Sequence, residues 1–309
     1  MSARNTTARV AVCSRSFSQH PILRAELLER YEHVTFNAEG KKLAGPTLVE
    51  FLRGHDKAIT ALEVVTREVL EQLPELRVIS KYGVGLDMID QAAMQALGKR
   101  LGWQGGVNRR SVAELALTFM ISALRLVPSA AREVLAGEWR QQFGRQLTGR
   151  TVGIVGCGHI GKDLTPLLAP LGCRILVHDI VHYAEFYAAH GLEPVELDVL
   201  LESSDVVTLH LPLDDSTRGI IDARRIGLLQ PGAVLINTAR GGLVNEGALL
   251  TALVEGRIAG AAFDVFASEP PTDRALLDHP NFLATPHIGG SAQEAVLAMG
   301  RSAIRHLDP

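Results

Sequence analysis

Three ionisable residues in the second half of the chain, Arg240, Glu269 and His287, each follow shortly after a strand-like run. The carboxyl ends of parallel strands form a binding crevice, so we expect these side chains to face a ligand. Arginine offers a planar fork for a carboxylate, and histidine exchanges a proton near neutral pH. Together they suit hydride transfer at C2 of a 2-keto acid, in which a cation holds the carboxylate and an acid protonates the new alkoxide. The glutamate would hold one imidazole nitrogen and favour the charged ring.

Each of these residues also has a simpler interpretation when it is taken alone. An arginine or a glutamate at a strand end is more often solvated or ion-paired, and a histidine before Ile-Gly-Gly can be a turn residue. The chemical interpretation therefore depends on the surrounding motifs.

A glycine-rich turn follows the apolar strand pattern Thr151–Val155 and precedes a helical pattern; it reads Gly156-Cys-Gly-His-Ile-Gly161. The first glycine permits the tight turn, the second lets a pyrophosphate approach the backbone, and the third lets the helix pack on the strand. This spacing predicts a dinucleotide site, and the alternative is a glycine-rich turn that binds no nucleotide. Pro166 and Pro170 predict that the following helix is short or kinked.

The acidic residue that such a site needs is Asp179, which ends the next strand pattern, Arg174–His178. Its carboxylate can accept hydrogen bonds from the ribose hydroxyls and would repel a 2′-phosphate. NAD (as NADH) is therefore the predicted cofactor, although Arg174 or His182 could soften the preference over NADP.

Short β-branched runs alternate with helical segments along the chain, which predicts an α/β fold with parallel sheets. A longer helical pattern at Asn108–Val127 is a candidate bridging helix between two domains. The predicted helices before it are Ile22–Arg30, Leu48–Leu52 and Arg67–Leu73. The predicted strands are Val10–Cys13, Val34–Phe36, Ala58–Thr60, Arg77–Ser80, Thr151–Val155, Arg174–His178, Val206–Leu209, Ala233–Ile236 and Ala259–Phe263.

The composition, 47% hydrophobic and 21% charged over 309 residues, is that of a globular chain long enough for two domains. A net charge of −3 gives no electrostatic footprint for nucleic acid, and the apolar stretch Leu115–Val127 is too short for a bilayer span. Residues 1–9 lack the pattern of a signal peptide, and Cys13, Cys157 and Cys173 do not form a disulfide framework. We expect a cytoplasmic protein with no nucleic acid, membrane or metal partner.

Eight motifs, in this family's order, make most of the chain similar to the D-isomer-specific 2-hydroxyacid dehydrogenases. They are Ser80-Lys-Tyr-Gly-Val-Gly-Leu-Asp87, Val107-Asn-Arg-Arg-Ser-Val-Ala-Glu114, Gly156-Cys-Gly-His-Ile-Gly161, Leu209-His-Leu-Pro-Leu213, Asn237-Thr-Ala-Arg-Gly-Gly242, Ala262-Phe-Asp-Val-Phe266, Ser268-Glu-Pro270 and Thr285-Pro-His-Ile-Gly-Gly-Ser291.

The resemblance implies two parallel-sheet domains, one flavodoxin-like and one Rossmann-like, with a deep interdomain cleft. The substrate-binding domain would comprise residues 1–101 plus 288–309, and the NAD-binding domain residues 102–287. Arg240, Glu269 and His287 would be catalytic, Asp264 would lie near the nicotinamide, and Thr238 and Ala239 would line the cofactor groove through backbone groups. The residues assigned to the cofactor are Gly156, Gly158, His159, Ile160, Gly161, Asp179, Leu211, Pro212, Thr217, Thr238, Ala239, Asp264, His287 and Gly289.

The same resemblance implies that a small 2-hydroxy or 2-keto acid binds through a second loop. Backbone N–H groups of that loop would receive the substrate carboxylate, although its glycines also suit a simple tight turn. The residues assigned to the substrate are Lys81, Tyr82, Gly83, Val84, Gly85 and Arg240.

Within the family, the segments around Lys81–Gly85 and Asn108–Glu114 look closest to the phosphoglycerate dehydrogenase branch. That branch holds the substrate phosphate with an arginine after the third strand, where this chain has Glu63, which would repel phosphate. Lys81, Arg109 or Arg110 could compensate. Trp103-Gln-Gly-Gly106 replaces the usual Thr-Pro-Gly, which could reshape the pocket wall. Because the chain stops at Pro309, we do not expect feedback regulation through an appended domain.

The main prediction is an NAD-dependent D-2-hydroxyacid dehydrogenase that works as a 2-keto acid reductase. The alternative is a non-enzymatic NAD(H)-sensing binding protein of corepressor type, which shares the fold and can retain the catalytic residues. The sequence has no disordered tail or basic patch to recruit partners for that role. A phosphite- or formate-type dehydrogenase is a third option. The family also suggests a homodimer, and the apolar helix Val112–Val127 would contribute either to its interface or to the core.

Overall fold

The computed structural model describes residues 4–308, and these form two compact units. Unit 1 comprises the chain up to Asn108 together with the segment from Ala292 onward, and unit 2 comprises Arg109–Ser291. Unit 2 is therefore inserted into the sequence of unit 1.

Unit 1 contains a parallel five-stranded sheet in the order β2-β1-β3-β4-β5. This order is that of a flavodoxin-like fold, and it reverses between β1 and β3, where a crevice forms at the carboxyl edge. The elements of unit 1 are β1 (Asn5–Val12), α1 (Arg15–Gln19), α2 (Pro21–Arg30), β2 (Tyr31–Phe36), α3 (Pro46–Leu52), β3 (Lys57–Thr60), α4 (Arg67–Glu71), β4 (Val78–Lys81), α5 (Gln91–Ala96), β5 (Arg100–Gly102) and α14 (Gln293–Arg305).

The last helix of the chain, α14, packs on the sheet of unit 1. Gly300 leaves no space for a side chain because Leu23 of α2 fills it, and the Ser80 hydroxyl donates to the Ala303 carbonyl over 2.7 Å. Beyond the helix, Asp308 binds the Lys57 ammonium at 2.5 Å and the Arg30 guanidinium at 3.1 Å. These contacts join the two sequence segments of unit 1.

Unit 2 contains a parallel seven-stranded sheet in the order β12-β11-β10-β9-β6-β7-β8. This is the Rossmann order with one added strand, and it reverses between β6 and β9. The predicted class, two parallel-sheet α/β domains, is confirmed. The elements of unit 2 are α6 (Arg109–Leu124), α7 (Val127–Leu135), β6 (Thr151–Val155), α8 (His159–Leu168), β7 (Arg174–His178), α9 (Ala184–His190), β8 (Glu193–Pro194), α10 (Leu197–Ser203), β9 (Val206–Leu209), α11 (Ala223–Ile226), β10 (Val234–Asn237), α12 (Glu246–Val254), β11 (Gly260–Phe263), α13 (Arg274–Asp278) and β12 (Phe282–Ala284).

The long predicted helix ends at Leu124, three residues earlier than its apolar pattern predicted. Leu126 adopts a left-handed φ of 57°, and Pro128 occupies the first turn of α7, a position that proline tolerates. The apolar face of α6, including Phe119 and Met120, is buried in the core of unit 2. Among residues 4–308 no single helix is long and apolar enough to cross a membrane, whereas α6 and α7, bent by 66°, pass that test only as a pair.

Helix α8 runs through Pro166 as far as Leu168, and a 3-10 turn at Ala169–Leu171 contains Pro170. The prolines therefore limit this helix to ten residues. Its amino end, which faces the glycine-rich turn, lies before both prolines.

Candidate active site

The glycine-rich turn connects β6 to α8 at the point where the strand order of unit 2 reverses. Gly156 has φ +96°, and a Cβ there would lie 2.5 Å from the His210 carbonyl oxygen. At Gly161 a Cβ would collide with the Gly156 carbonyl, so these two positions require glycine. Gly158 has open space beside it and caps α8, where His159 is exposed and Ile160 is half-buried. A backbone approach by a pyrophosphate is therefore sterically possible at Gly158.

Asp179 follows β7, and backbone N–H groups hold its carboxylate. The Cys157 N–H donates to one oxygen at 2.6 Å, and the Val181 N–H donates to the other at 2.8 Å. Arg174 pairs with Glu193 at 2.9 and 2.5 Å, so that arginine is engaged away from Asp179. Burial, reinforced by the charge of Asp179, raises the pKa of the Cys157 thiol to about 11.

His287 and Glu269 lie together, as the predicted proton relay requires. The His287 Nδ1 atom is 2.9 Å from Glu269 Oε2, and the other carboxylate oxygen accepts the Phe266 N–H at 3.2 Å. His287 adopts a left-handed φ of 55°, an unusual conformation for a non-glycine residue, and its N–H donates to the Asp264 carbonyl at 3.0 Å. The backbone thus presents the histidine side chain, which is half exposed.

Asp264 follows β11, and its buried carboxylate organises the segment that carries His287. It accepts the Ile288 and Gly289 N–H groups at 2.7 Å each and also the Thr285 hydroxyl. Because these donors flank the histidine on both sides, Asp264 fixes the turn around it. The structure therefore gives Asp264 a structural task that the sequence did not reveal.

Arg240 follows β10, on a turn that the Asn237 side chain organises. Asn237 donates to the Arg240 carbonyl at 2.9 Å and accepts the Ala239 N–H at 3.1 Å. The Arg240 guanidinium donates to the Ala239 carbonyl at 2.7 Å. Arg240, Glu269 and His287 all belong to unit 2.

The remaining predicted cofactor residues line the carboxyl ends of β9 and β10. The buried Thr238 hydroxyl has no hydrogen-bond partner within the described residues, so it suits a polar ligand atom. Thr217 instead closes a local turn, since its hydroxyl donates to the Pro212 carbonyl at 2.8 Å. Leu211 borders Gly156.

His210 also lies at this edge, although its position in the sequence did not predict a role for it. Its Nε2 atom is 3.0 Å from the Thr208 hydroxyl, and burial lowers its pKa to about 3. The ring is therefore neutral at physiological pH.

The predicted substrate loop lies in unit 1, at the carboxyl end of β4. Lys81 is buried and its ammonium donates to the Ala61 carbonyl, while Tyr82 packs edge-on against Phe17 with ring centroids 5.4 Å apart. Gly83 has φ +133°, and the Trp103 indole N–H donates to the Val84 carbonyl at 2.8 Å. Trp103, a departure from the family pattern, thus holds this loop.

Glu63 lies near the same edge of unit 1. Its carboxylate accepts the Ala61 N–H at 2.6 Å, so Glu63 and Lys81 both bind the backbone of Ala61. Arg109 and Arg110, the other candidate phosphate ligands, lie in unit 2 and pair there with Asp163 at 3.5 and 2.9 Å.

Comparison with known proteins shows the family to which the chain belongs. Residues 117–289 match the family described as D-isomer specific 2-hydroxyacid dehydrogenase, NAD binding domain. A hydroxypyruvate reductase of Thermotoga maritima is 37% identical over 241 residues, which cover 76% of this chain and 78% of that protein. The chain belongs to the D-isomer-specific 2-hydroxyacid dehydrogenase family. Unit 2 accordingly carries the family's NAD-binding domain, and NAD is the cofactor.

Two further relatives extend the comparison. A D-3-phosphoglycerate dehydrogenase of Methanocaldococcus jannaschii is 40% identical over 239 residues, which cover 76% of this chain but 46% of that protein. The chain therefore spans about half the length of this relative. The solved structure of a putative family member from Polaromonas sp. JS6 66 has a TM-score of 0.87 and 32% identity, and the match covers 95% of this chain and 93% of that one.

Proposed function

We propose that this member of the family is an NAD-dependent 2-keto acid reductase that produces D-2-hydroxy acids, with Arg240, Glu269 and His287 as its catalytic residues. The observation that carries the proposal is the 2.9 Å contact between His287 Nδ1 and Glu269 Oε2. The contact occurs in the unit that carries the NAD-binding domain.

The proton step follows from the way in which the imidazole is held. Because Nδ1 faces a carboxylate, it keeps its hydrogen, and Nε2 is the atom that exchanges a proton with the substrate oxygen. Glu269 stabilises the imidazolium before transfer, and the Phe266 N–H fixes that carboxylate. When bound, NADH supplies the hydride that arrives at C2. His287 then gives its proton to the oxygen that becomes the hydroxyl.

Arg240 would hold the substrate carboxylate and polarise the adjacent carbonyl. Its backbone carbonyl accepts a hydrogen bond from the Asn237 side chain, which positions the Arg240 backbone at the end of β10. Lys81 and the backbone of Tyr82–Gly85 are proposed to contribute to substrate binding from unit 1. Since Glu63 carries a negative charge beside Lys81, we favour an unphosphorylated substrate over a phosphorylated one.

NAD would be held by the glycine-rich turn, by Asp179 at the ribose, and by groups at the ends of β9, β10 and β11. The open space at Gly158 and the Thr238 hydroxyl, which has no hydrogen-bond partner among residues 4–308, both fit such a ligand. The other residues proposed for it are Gly156, His159, Ile160, Gly161, Leu211, Pro212, Thr217, Ala239, Asp264, His287 and Gly289.

A homodimer is part of the proposal, and its interface would use the segment that follows α6 rather than α6 itself. Leu135, Trp139 and Phe143 are 87%, 89% and 92% exposed, which is unusual for three large apolar side chains so close in sequence. Analytical ultracentrifugation of the protein and of Trp139→Glu would test this, with a shift from dimer to monomer expected. The cytoplasm stays the predicted compartment.

The activity test uses purified protein with NADH and, separately, hydroxypyruvate, glyoxylate, pyruvate or 2-ketoglutarate, followed by absorbance of the cofactor. We expect turnover of at least one acid, a fall in kcat of about 10²–10⁴-fold for His287→Gln, and a smaller fall for Glu269→Gln. Arg240→Ala should mainly raise KM, whereas the exposed control Glu255→Gln should match the wild type.

The contrary results are equally specific. Turnover that survives unchanged in His287→Gln and Arg240→Ala would contradict the assigned roles. Tight NADH binding with no turnover of any acid would instead favour the NAD(H)-sensing alternative.

A further inference from the structure

One lysine of unit 2 lies directly over an aromatic ring. The Lys162 ammonium in α8 is 3.2 Å from the centroid of the Tyr183 ring and 5.4 Å from that of Phe186. Lys162 is the only lysine between Arg109 and Ser291, so unit 2 otherwise uses arginine for its side-chain cations. Distances of this size allow a cation–π interaction with both rings.

Lys162 occupies a position in which a cation is not expected. The residue lies in the first turn of α8, just after the glycine-rich turn, where the positive end of the helix dipole disfavours a cation. The electron-rich faces of the Tyr183 and Phe186 rings compensate for this unfavourable interaction with the helix dipole. They also direct the ammonium toward the segment after β7. Lys162 therefore joins the beginning of α8 to Tyr183, the residue that caps α9.

The segment Asp179–Tyr183 is held at both of its ends. At the first end, Asp179 accepts the Cys157 N–H of the glycine-rich turn at 2.6 Å. At the second end, Tyr183 covers Lys162, and the Tyr187 hydroxyl donates to the Val181 carbonyl at 3.3 Å. Between these ends Ile180 is 99% exposed, so the segment has little core packing of its own. Its conformation depends on these anchors and on the Tyr187 ring, which packs against His182 and Tyr183 with centroids 5.2 and 6.2 Å apart.

We propose that the contact of Lys162 with Tyr183 is a clamp that positions Asp179 for the ribose of NAD. Lys162 and Tyr183 are then positioning residues for cofactor affinity and for the choice of NAD over NADP. The contact also keeps the ammonium on the ring faces, where it does not neutralise Asp179 or attract a 2′-phosphate. The inference rests on the proposed role of Asp179, but it does not require that the protein turn over a 2-keto acid.

The test measures NADH and NADPH binding by the whole chain, with the fluorescence of the reduced cofactor as the signal. Lys162→Met removes the charge but keeps an apolar chain, and Tyr183→Leu removes the ring. For each we expect the Kd for NADH to rise about threefold to tenfold, with kcat within about twofold of wild type. The Kd for NADPH should change less. The contact that these variants weaken is the one between Asp179 and the ribose 2′-hydroxyl, and NADPH carries a phosphate at that position and cannot make it.

Conservative variants separate the clamp from a general effect on folding. Lys162→Arg keeps a cation and Tyr183→Phe keeps a ring, so both should bind NADH within about twofold of wild type. The double variant Lys162→Met with Tyr183→Leu should bind no more weakly than the worse single variant, since both remove one interaction. Lys42→Met, at an exposed lysine of unit 1, is the matched control and should change nothing.

A spectroscopic measurement reports on the clamp without any cofactor. In protein labelled with ¹³C at lysine Cε, the Lys162 signal should be shifted upfield by the ring current and should return toward the ordinary position in Tyr183→Leu. An unshifted signal would overturn the inference, as would an unchanged Kd for NADH in Lys162→Met or equal losses for NADH and NADPH. A wild-type protein that binds no NADH would overturn the cofactor assignment and this inference together, whereas binding without turnover would refute the activity alone.

Discussion

The turns that carry the candidate catalytic residues in unit 2 and the loops after β3 and β4 in unit 1 are held by different kinds of side chain. In unit 2, short and buried groups hold the turns, since Asn237 and Asp264 are each 1% exposed and bond backbone atoms on either side of the candidate catalytic residues. In unit 1, long side chains hold the loops after β3 and β4, with Lys81 binding the Ala61 carbonyl and Trp103 the Val84 carbonyl. Short side chains lose less entropy and fix atoms more narrowly. We therefore expect chemistry to depend on unit 2 and substrate preference on unit 1.

The largest expected effect is at Asp264. Asp264→Ala would leave the Ile288 and Gly289 N–H groups without their acceptor, so we expect a loss of about 3–5 kcal/mol in the free energy of unfolding. Activity should fall as well, because the turn around His287 loosens. Urea titration measures the first effect and steady-state kinetics the second. Asp278→Ala, at an exposed ion pair, is the control, and a loss below about 1 kcal/mol at Asp264 would contradict the comparison.

Acid should weaken unit 2 through His210. Burial lowers the pKa of this histidine from 6.5 to about 3, so the unfolded chain binds a proton that the folded chain does not. The contribution of neutral His210 to the free energy of unfolding is therefore fully present above pH 6.5 and is lost as the pH drops toward 3. The loss amounts to about 3 kcal/mol at pH 4.

Unfolding curves measured between pH 7 and pH 4 check this expectation. His210→Gln should flatten the pH dependence, whereas His33→Gln, at an exposed histidine of unit 1, should leave it in place. If stability falls equally steeply with pH in both variants, a group other than His210 causes the acid sensitivity.

A smaller effect is expected where unit 1 holds its loop. Trp103→Phe removes the hydrogen bond to the Val84 carbonyl, so KM for the 2-keto acid should rise about twofold to tenfold. Because unit 2 is untouched, kcat and the KM for NADH should stay within about twofold. A fall in kcat with an unchanged KM would show that this loop serves the chemical step and would break the proposed division.

The smallest expected effect is that of removing the negative charge of Glu63, at the carboxyl edge of the unit 1 sheet. Glu63→Gln removes an anion beside Lys81, and kcat/KM for a phosphorylated 2-keto acid should improve about threefold relative to its unphosphorylated counterpart. Glu68→Gln, an exposed carboxylate on α4, should leave the ratio unchanged. If both variants behave alike, Glu63 has no part in selecting the substrate.

The elements that could be predicted from the sequence are those marked by a local pattern of residues. Apolar runs located the central strands such as Thr151–Val155, and glycine spacing located the turn at Gly156. The edge strands β5 and β12 have three residues each, too few to show a periodicity, and they were missed. The end of α6 was also misjudged, because its apolar pattern continues past the point where Leu126 turns the chain.

Prediction of the site was limited in the same way, because contacts that form only in the folded chain leave no local pattern in the sequence. Residue type together with the surrounding family motifs made His287 and Glu269 catalytic candidates, and the structure brings them within 2.9 Å of each other. The tasks of Asn237, Thr285 and Trp103 went unrecognised because each bonds to a group that only tertiary folding brings near. Asp264 was assigned to the cofactor, and its bonds to the backbone could not be deduced from spacing.

The return of α14 to unit 1 has a consequence for the order in which the chain is made. Leu23 and Lys57 meet Gly300 and Asp308, residues that leave the ribosome only after all of Arg109–Ser291 has been synthesised. The earlier part of unit 1 therefore lacks the helix that covers Leu23 until unit 2 has been synthesised. The segment that is translated first thus completes its packing only with residues that follow unit 2 in the chain.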